Sequence, residues 1–275
     1  MVIFADIDGT MREYHLGFLP SSAKALDKAK ENGHTLILCT GRSVGMIPSD
    51  VPLEKFDGMI CGGGCYLSYK GEVIRNDFID DRIMMKYRDW FDRIGAPYAL
   101  ETYEGMFLTP AMSEVVAKGL LRMDSPDADD APGLRAEKID PARRVEEFDR
   151  RGLHVSKISF CLEPEQYARF DVPDEDGLSL ITFNDADDGR VHCEMVGRGC
   201  DKGSALVQMT KFIGADISDT LMAGDSMNDA DAFRAAGHSL CMGNGNEAVR
   251  ALADHVTVRC EEDGFYKGLA DLGLI

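Results

Sequence analysis

A chain of 275 residues with 44% hydrophobic and 28% charged residues can bury the core of one large domain or two modest ones, which excludes disorder as a description of the whole. Its formal net charge of -18 repels nucleic acids and anionic membranes, so neither is expected as a partner. An anionic small molecule remains open if local cations or a metal ion offset the field.

The 8 cysteines include no CxxC. The nearest pair, Cys61 and Cys65, has no second pair and no histidines at zinc spacing, so buried reduced thiols are expected. The N-terminal stretch lacks a basic region, and Asp6 and Asp8 interrupt its apolar run. No stretch reaches the length of a transmembrane helix, and a cytoplasmic location is expected.

Residues 2–5 are continuously apolar and β-prone, as in a short strand buried on both faces. A helix is expected over residues 22–32, capped by Ser21 or Ser22 and ended by Gly33. Residues 35–39 and 58–61 predict two further buried strands. Strands alternating with helices imply a parallel α/β sheet. The same pattern returns late in the chain. Residues 202–213 predict a helix closed by Gly214, and 221–223 a strand. Residues 228–236 predict a helix closed by Gly237. A strand at 240–242, a helix near 246–253 and a strand at 255–258 complete the series. The middle differs: from about 82 to 190, helical stretches mix with strands such as 155–161 and 178–183, and acidic loops interrupt at 124–130, 171–176 and 185–188. The expected architecture is an α/β, Rossmann-like three-layer core with a parallel sheet, formed by residues 1–81 and 191–275, with an α+β domain of residues 82–190 inserted into it.

Asp6-Ile7-Asp8-Gly9-Thr10 follows the first strand. Residues i and i+2 of an extended backbone point to one side, so both carboxylates belong at the carboxyl end of a parallel strand, where open α/β sheets bind ligands. A polar turn would account for the pattern equally well. An EF-hand would not, since its loop needs glycine at the sixth position and Met11 stands there. Gly224-Asp225-Ser226-Met227-Asn228-Asp229 places two more carboxylates and an amide at a second strand end, where Asp225 or Asn228 could instead cap a helix. Carboxylates converging on one sheet edge repel one another unless a cation joins them, and oxygen-only ligands with room for waters suit Mg²⁺. Thr40-Gly41-Arg42 ends the second strand, either as a capping turn or as a phosphate cradle with a hydroxyl and an approachable backbone. Lys202 opens a helix, where a cation opposes the helix dipole; a functional role or a solvated surface lysine would each account for it.

Taken together, Asp6-x-Asp8-Gly9-Thr10, Thr40-Gly41-Arg42, Lys202-Gly203 and Gly224-Asp225-x-x-Asn228-Asp229 resemble the four ordered motifs of the haloacid-dehalogenase superfamily. Met242-Gly243-Asn244-Gly245, Ala253-Asp254 and Glu262-Asp263-Gly264 look like its Cof-type phosphatase branch, which has a cap domain where this chain has its insertion. The resemblance implies Mg²⁺-dependent hydrolysis of a phosphate monoester of a small metabolite, a sugar phosphate or cofactor phosphate, through an aspartyl-phosphate. A phosphomutase acting on a sugar phosphate is the alternative. The resemblance makes Asp6 the nucleophile and a metal ligand. Asp8 becomes the general acid/base, with its backbone carbonyl on the metal. Thr40, Gly41, Arg42, Lys202 and Asn228 hold the phosphoryl group. Asp225 and Asp229 serve the metal, Asp229 through water. The chain departs from the pattern at Gly62-Gly63-Gly64, where Gly63 replaces a usual asparagine. Gly243-Asn244-Gly245-Asn246-Glu247-Ala248 also fits a dinucleotide-binding G-x-G-x-x-A pattern, although too little chain follows it for a second mononucleotide half.

Overall fold

A computed structural model describes residues 1–123, 143–183 and 189–275 of the chain; the acidic stretches 124–130 and 185–188 lie outside the described residues. Two compact units result. One comprises Met1–Arg42, Ile47–Asn76 and Cys200–Ile275, the other Ser43–Met46 and Asp77–Gly199.

The first unit opens with β1 (Val2–Ala5), a two-residue hairpin β2 (Arg12–Glu13) and β3 (Gly17–Phe18), α1 (Pro20–Glu31), β4 (Thr35–Cys39) and β5 (Gly58–Cys61). It continues through the antiparallel pair β6 (Tyr66–Tyr69) and β7 (Glu72–Asn76). The second unit contains α2 (Asp81–Ile94), β8 (Tyr98–Thr102), β9 (Gly105–Leu108), α3 (Pro110–Met123), β10 (Arg143–Arg144) and α4 (Val145–Phe148). It ends with β11 (Lys157–Leu162), α5 (Pro164–Tyr167), β12 (Leu178–Phe183) and β13 (Val191–Gly197). The chain then returns to the first unit with α6 (Lys202–Ile213), β14 (Thr220–Gly224), α7 (Ala230–Ala235), β15 (His238–Cys241), α8 (Glu247–Arg250), β16 (His255–Val256) and α9 (Gly264–Asp271).

The first unit is an eight-stranded sheet in the order β16-β15-β14-β1-β4-β5-β6-β7. It is parallel from β16 to β5 and antiparallel at β6 and β7. Both faces of β1 are buried, which is why its four residues carry no polar alternation. Ile3 and Ala5 face a layer with Ala25, Leu26 and Ala29 of α1 and Phe265 and Leu269 of α9. Val2 and Phe4 face Ala205, Leu206 and Met209 of α6 and Phe233 of α7. Each fully buried large apolar side chain contributes about 2 kcal/mol. The chain leaves β1 toward β4 on one side while β14 pairs on the other, so the ends of β1 and β14 flank the point where strand order reverses.

The second unit is a six-stranded sheet in the order β10-β9-β8-β11-β13-β12. Its core gathers Tyr87 and Phe91 of α2 with Tyr98, Phe107, Phe160 and Met195 of the strands. The strand Val191–Gly197 lies in this sheet, paired with β11 and β12 along its whole length. The unit's sequence is inserted between parts of the first, so the fold is an α/β core carrying an inserted α+β domain.

Several element ends differ from those expected. Helix α1 starts at Pro20, with Leu19 at the N-cap and no side-chain cap. Proline fits the first helical position because its missing N–H is unpaired there in any helix. Ser21 and Ser22 therefore lie inside the first turn, and neither hydroxyl has a hydrogen-bond partner. The helix expected at 228–236 begins as a 3₁₀ turn, Met227–Asp229, before α7, and α8 is one turn capped by Asn246. All eight cysteines are buried and none forms a disulfide.

Candidate active site

Asp6 follows β1 directly, and its N–H donates to Ala223 O at 3.0 Å, extending the β1–β14 ladder by one bond. Asp225 follows β14. Two carboxylates thus stand at adjacent strand ends. The turn after Asp6 must fold tightly to clear them: Gly9 has φ of +74°, and a Cβ there would lie 2.1 Å from Asp225 Oδ2. Only glycine satisfies both conditions.

Lys202 is the first residue of α6. The helix is capped by Asp201, whose side chain accepts from Ser204 N at 2.7 Å. A cation at a helix N-terminus is unfavourable unless compensated. Compensation comes from Asp229 Oδ1 at 2.6 Å and Asp6 Oδ1 at 3.1 Å from the ammonium, which also donates to Asn228 Oδ1 at 3.1 Å. The other oxygen of Asp229 accepts from the backbone N–H groups of Asp225 and Ser226 at 3.0 and 3.1 Å. Asp229 therefore folds its own loop and holds the lysine.

The electrostatics follow from burial. Burial pushes the Asp6 carboxyl up to about 8; Lys202 opposes the shift, and Asp229, Asp225 and Asp8 reinforce it. Asp225 rises to about 7, first through burial and then through Asp229. Burial by itself would lower the Lys202 ammonium, but Asp229 and Asp6 outweigh it and hold the group above its ordinary value.

Asp6, Asp225 and Asp229 can each offer a carboxylate oxygen within 4.8 Å of the others. Asp225 Oδ2 accepts from Asn244 Nδ2 at 2.9 Å, whereas Asp225 Oδ1 is buried with no hydrogen-bond partner. A buried acceptor without a partner is costly, and three carboxylates with one ammonium leave excess negative charge. A hard divalent cation bound through oxygen answers both conditions, so the donor set fits such an ion.

Asp8 faces the opposite charge. Arg42 donates to it twice, from Nε to Oδ2 at 2.5 Å and from Nη2 to Oδ1 at 3.0 Å. The Arg42 N–H in turn donates to Thr40 Oγ1 at 3.1 Å, so the Thr40-Gly41-Arg42 turn carries its own brace. A Cβ on Gly41 would lie 3.6 Å from Asn228 Nδ2, which sets the asparagine amide against this backbone. Thr40, Gly41, Arg42, Asp8, Asn228, Lys202, Asp6, Asp225 and Asp229 are thus joined in one constellation. At the departure noted above, Gly63 has φ of +63° and nothing stands within 4 Å of a Cβ built there. Asparagine tolerates that conformation, so the backbone does not demand glycine.

Motif spacing left one residue without a role. Asn244 donates from Nδ2 to both Gly9 O and Asp225 Oδ2 at 2.9 Å, and its Oδ1 accepts from Cys260 N at 2.9 Å. It ties the first and last loops of the site together. The signal was a polar residue between Gly243 and Gly245. The same loop does not support dinucleotide binding, because the helix that follows is one turn and supplies no extended N-terminus for a pyrophosphate.

Residues 3–269 match the family of haloacid dehalogenase-like hydrolases. The chain belongs to that family and is an enzyme of its Cof-type phosphatase branch. A protein named HMP-PP phosphatase from Escherichia fergusonii is 27% identical over 266 residues, spanning 92% of this chain and 88% of its own length. A superfamily phosphatase from Bacteroides thetaiotaomicron superposes with a TM-score of 0.76 at 25% identity, covering 100% of this chain and 95% of that one. A subclass IIB sugar phosphatase of known structure shares the fold, with a TM-score of 0.76, 21% identity and coverage of 100% and 99%. Among the described residues no helix is long and apolar enough to cross a membrane.

Proposed function

We propose that this enzyme hydrolyses a phosphate monoester of a small metabolite, a sugar phosphate or cofactor phosphate, in a Mg²⁺-dependent reaction through an aspartyl-phosphate on Asp6. The supporting observation is the buried Asp6 carboxylate, held 3.1 Å from the Lys202 ammonium in a trio of carboxylates suited to a cation. A relative named HMP-PP phosphatase and a solved structure named a sugar phosphatase support a phosphorylated small molecule as substrate.

Hydrolysis of phosphate monoesters in water is slow enough that catalysis must supply on the order of 20 kcal/mol or more. Covalent catalysis divides the barrier. An Asp6 oxygen bonds to phosphorus as the ester P–O bond breaks, and Asp8 gives its proton to the departing oxygen. Asp8 then takes a proton from water, whose oxygen bonds to phosphorus as the Asp6–phosphorus bond breaks, releasing inorganic phosphate. Lys202, Thr40, Arg42, the Gly41 backbone and the Asn228 amide hold the phosphoryl oxygens. Asp6, Asp225 and the Asp8 backbone carbonyl would hold the cation directly, and Asp229, whose oxygens are already engaged, would act through water. When bound, Mg²⁺ neutralises phosphoryl charge and favours the ionised form of Asp6. The inserted domain contributes selectivity for the leaving group.

The test is a phosphate-release screen over phosphorylated metabolites, with EDTA-stripped protein before and after addition of Mg²⁺. Release that requires Mg²⁺ is expected. Full turnover in stripped protein, or none on any phosphate ester with Mg²⁺, would sink the proposal.

A further inference from the structure

The Asp8 carboxylate is flanked by a second guanidinium, from a residue outside the four motifs. The loop after β1 folds back on itself: Gly9 N–H donates to Arg12 O at 2.8 Å and Arg12 N–H to Ile7 O at 2.9 Å. That fold places Arg12 beside Asp8, with Nη1 3.9 Å from Asp8 Oδ1. The Arg12 side chain is 3% exposed. It is locked from behind by Asp50, whose two oxygens accept from Arg12 Nε at 3.1 and 3.2 Å. Asp50 is itself anchored, since its Oδ2 accepts from Phe18 N at 2.9 Å and a Cβ on Gly17 would lie 2.8 Å away.

The two arginines differ in kind. Arg42 makes the hydrogen bonds to Asp8, is 26% exposed and is also assigned to the phosphoryl group. Arg12 stands beyond hydrogen-bond distance, so it orients the Asp8 carboxyl by its charge acting on the group's dipole or charge and by filling the space beside it. Its guanidinium is planar, permanently charged and held by paired oxygens, so it has little freedom to leave. A phosphoryl group that draws Arg42 away would remove the hydrogen bonds but leave the Arg12 charge in place.

We propose that Arg12, locked by Asp50, is a positioning residue for Asp8 that keeps the carboxylate aimed when Arg42 engages phosphate. This rests on the reading of Asp8 as proton donor to the leaving group. Full-length Asp50→Asn, Arg12→Gln and Arg12→Lys are compared with wild type in Mg²⁺, using kcat/KM for p-nitrophenyl phosphate and phenyl phosphate. The first leaving group needs little protonation and the second needs more, and kcat/KM excludes breakdown of the covalent intermediate. Expected are a loss of about tenfold on phenyl phosphate but at most about threefold on p-nitrophenyl phosphate in Asp50→Asn and Arg12→Gln, with partial recovery in Arg12→Lys. Equal losses on both substrates would show that Arg12 only staples the loop and would overturn the inference. Crystal structures of the variants decide independently of substrate. A shifted Asp8 carboxylate supports the role, and an Asp8 unmoved in both Asp50→Asn and Arg12→Gln overturns it. Absence of phosphate release by the wild type would instead refute the hydrolase reading.

Discussion

Asp229 holds the Lys202 ammonium at 2.6 Å, in a pair whose side chains are 0% and 2% exposed. Water screens such a pair very little, and removing one member strands the other. Lys202→Ala should therefore lower kcat by on the order of 10²- to 10³-fold, because a preorganised charge facing the phosphoryl group is lost. It should also lower the melting temperature of metal-free protein, since Asp6, Asp225 and Asp229 then repel without compensation. Steady-state phosphate release and thermal melts check both effects. A folded variant with unchanged kcat would leave Lys202 a purely structural residue.

The raised carboxyls set a pH dependence for the metal-free protein. Asp6 at about 8 and Asp225 at about 7 both lie above their unfolded value of 3.8. Groups shifted upward contribute stability that is full below the unfolded value and is lost as pH rises through the folded one. Metal-free protein should therefore lose stability as pH rises from about 4 to about 8, by up to about 1.4 kcal/mol per pH unit for each of the two groups, and change little above that. Mg²⁺ competes with those protons, so it should raise the melting temperature more at pH 8.5 than at pH 6. Melts across this range with and without Mg²⁺ test it, and an equal increment at both pH values would contradict it.

Asp6 and Asp8 should separate by phenotype. Asp6→Asn should form no phosphoryl adduct. Asp8→Asn should still form one from p-nitrophenyl phosphate, which needs little leaving-group protonation, and should release it slowly because the base for water is missing. Intact-protein mass spectrometry after acid quench reads the adduct. An adduct on Asp6→Asn would reverse the assignment.

Replacing residues 77–199 by a short linker should leave a folded core, because the first unit has its own two-sided hydrophobic layers. Activity on the best metabolite from the screen should fall far more, by about tenfold or greater, than activity on p-nitrophenyl phosphate. Circular dichroism and kcat/KM on the two substrates measure this. Equal losses on both would deny the inserted domain a role in selectivity.

The sequence by itself determined the core strands, because Val2–Ala5, Thr35–Cys39 and Gly58–Cys61 are apolar runs buried on both faces, and such burial leaves no polar alternation to confuse them. It also determined the four motifs, since the carboxylates and the lysine lie at strand ends and a helix start that local pattern marks. Tertiary structure decided the rest. Val191–Gly197 belongs to the second sheet because it pairs with β11 as well as with the neighbouring β12, and β11 lies outside any local window. Asn244 reaches Gly9 across 235 residues, and Asp50 reaches Arg12 across 38. A polar residue in a loop looks the same in sequence whether it meets water or a buried charge; only the folded chain supplies the partner that fixes its role.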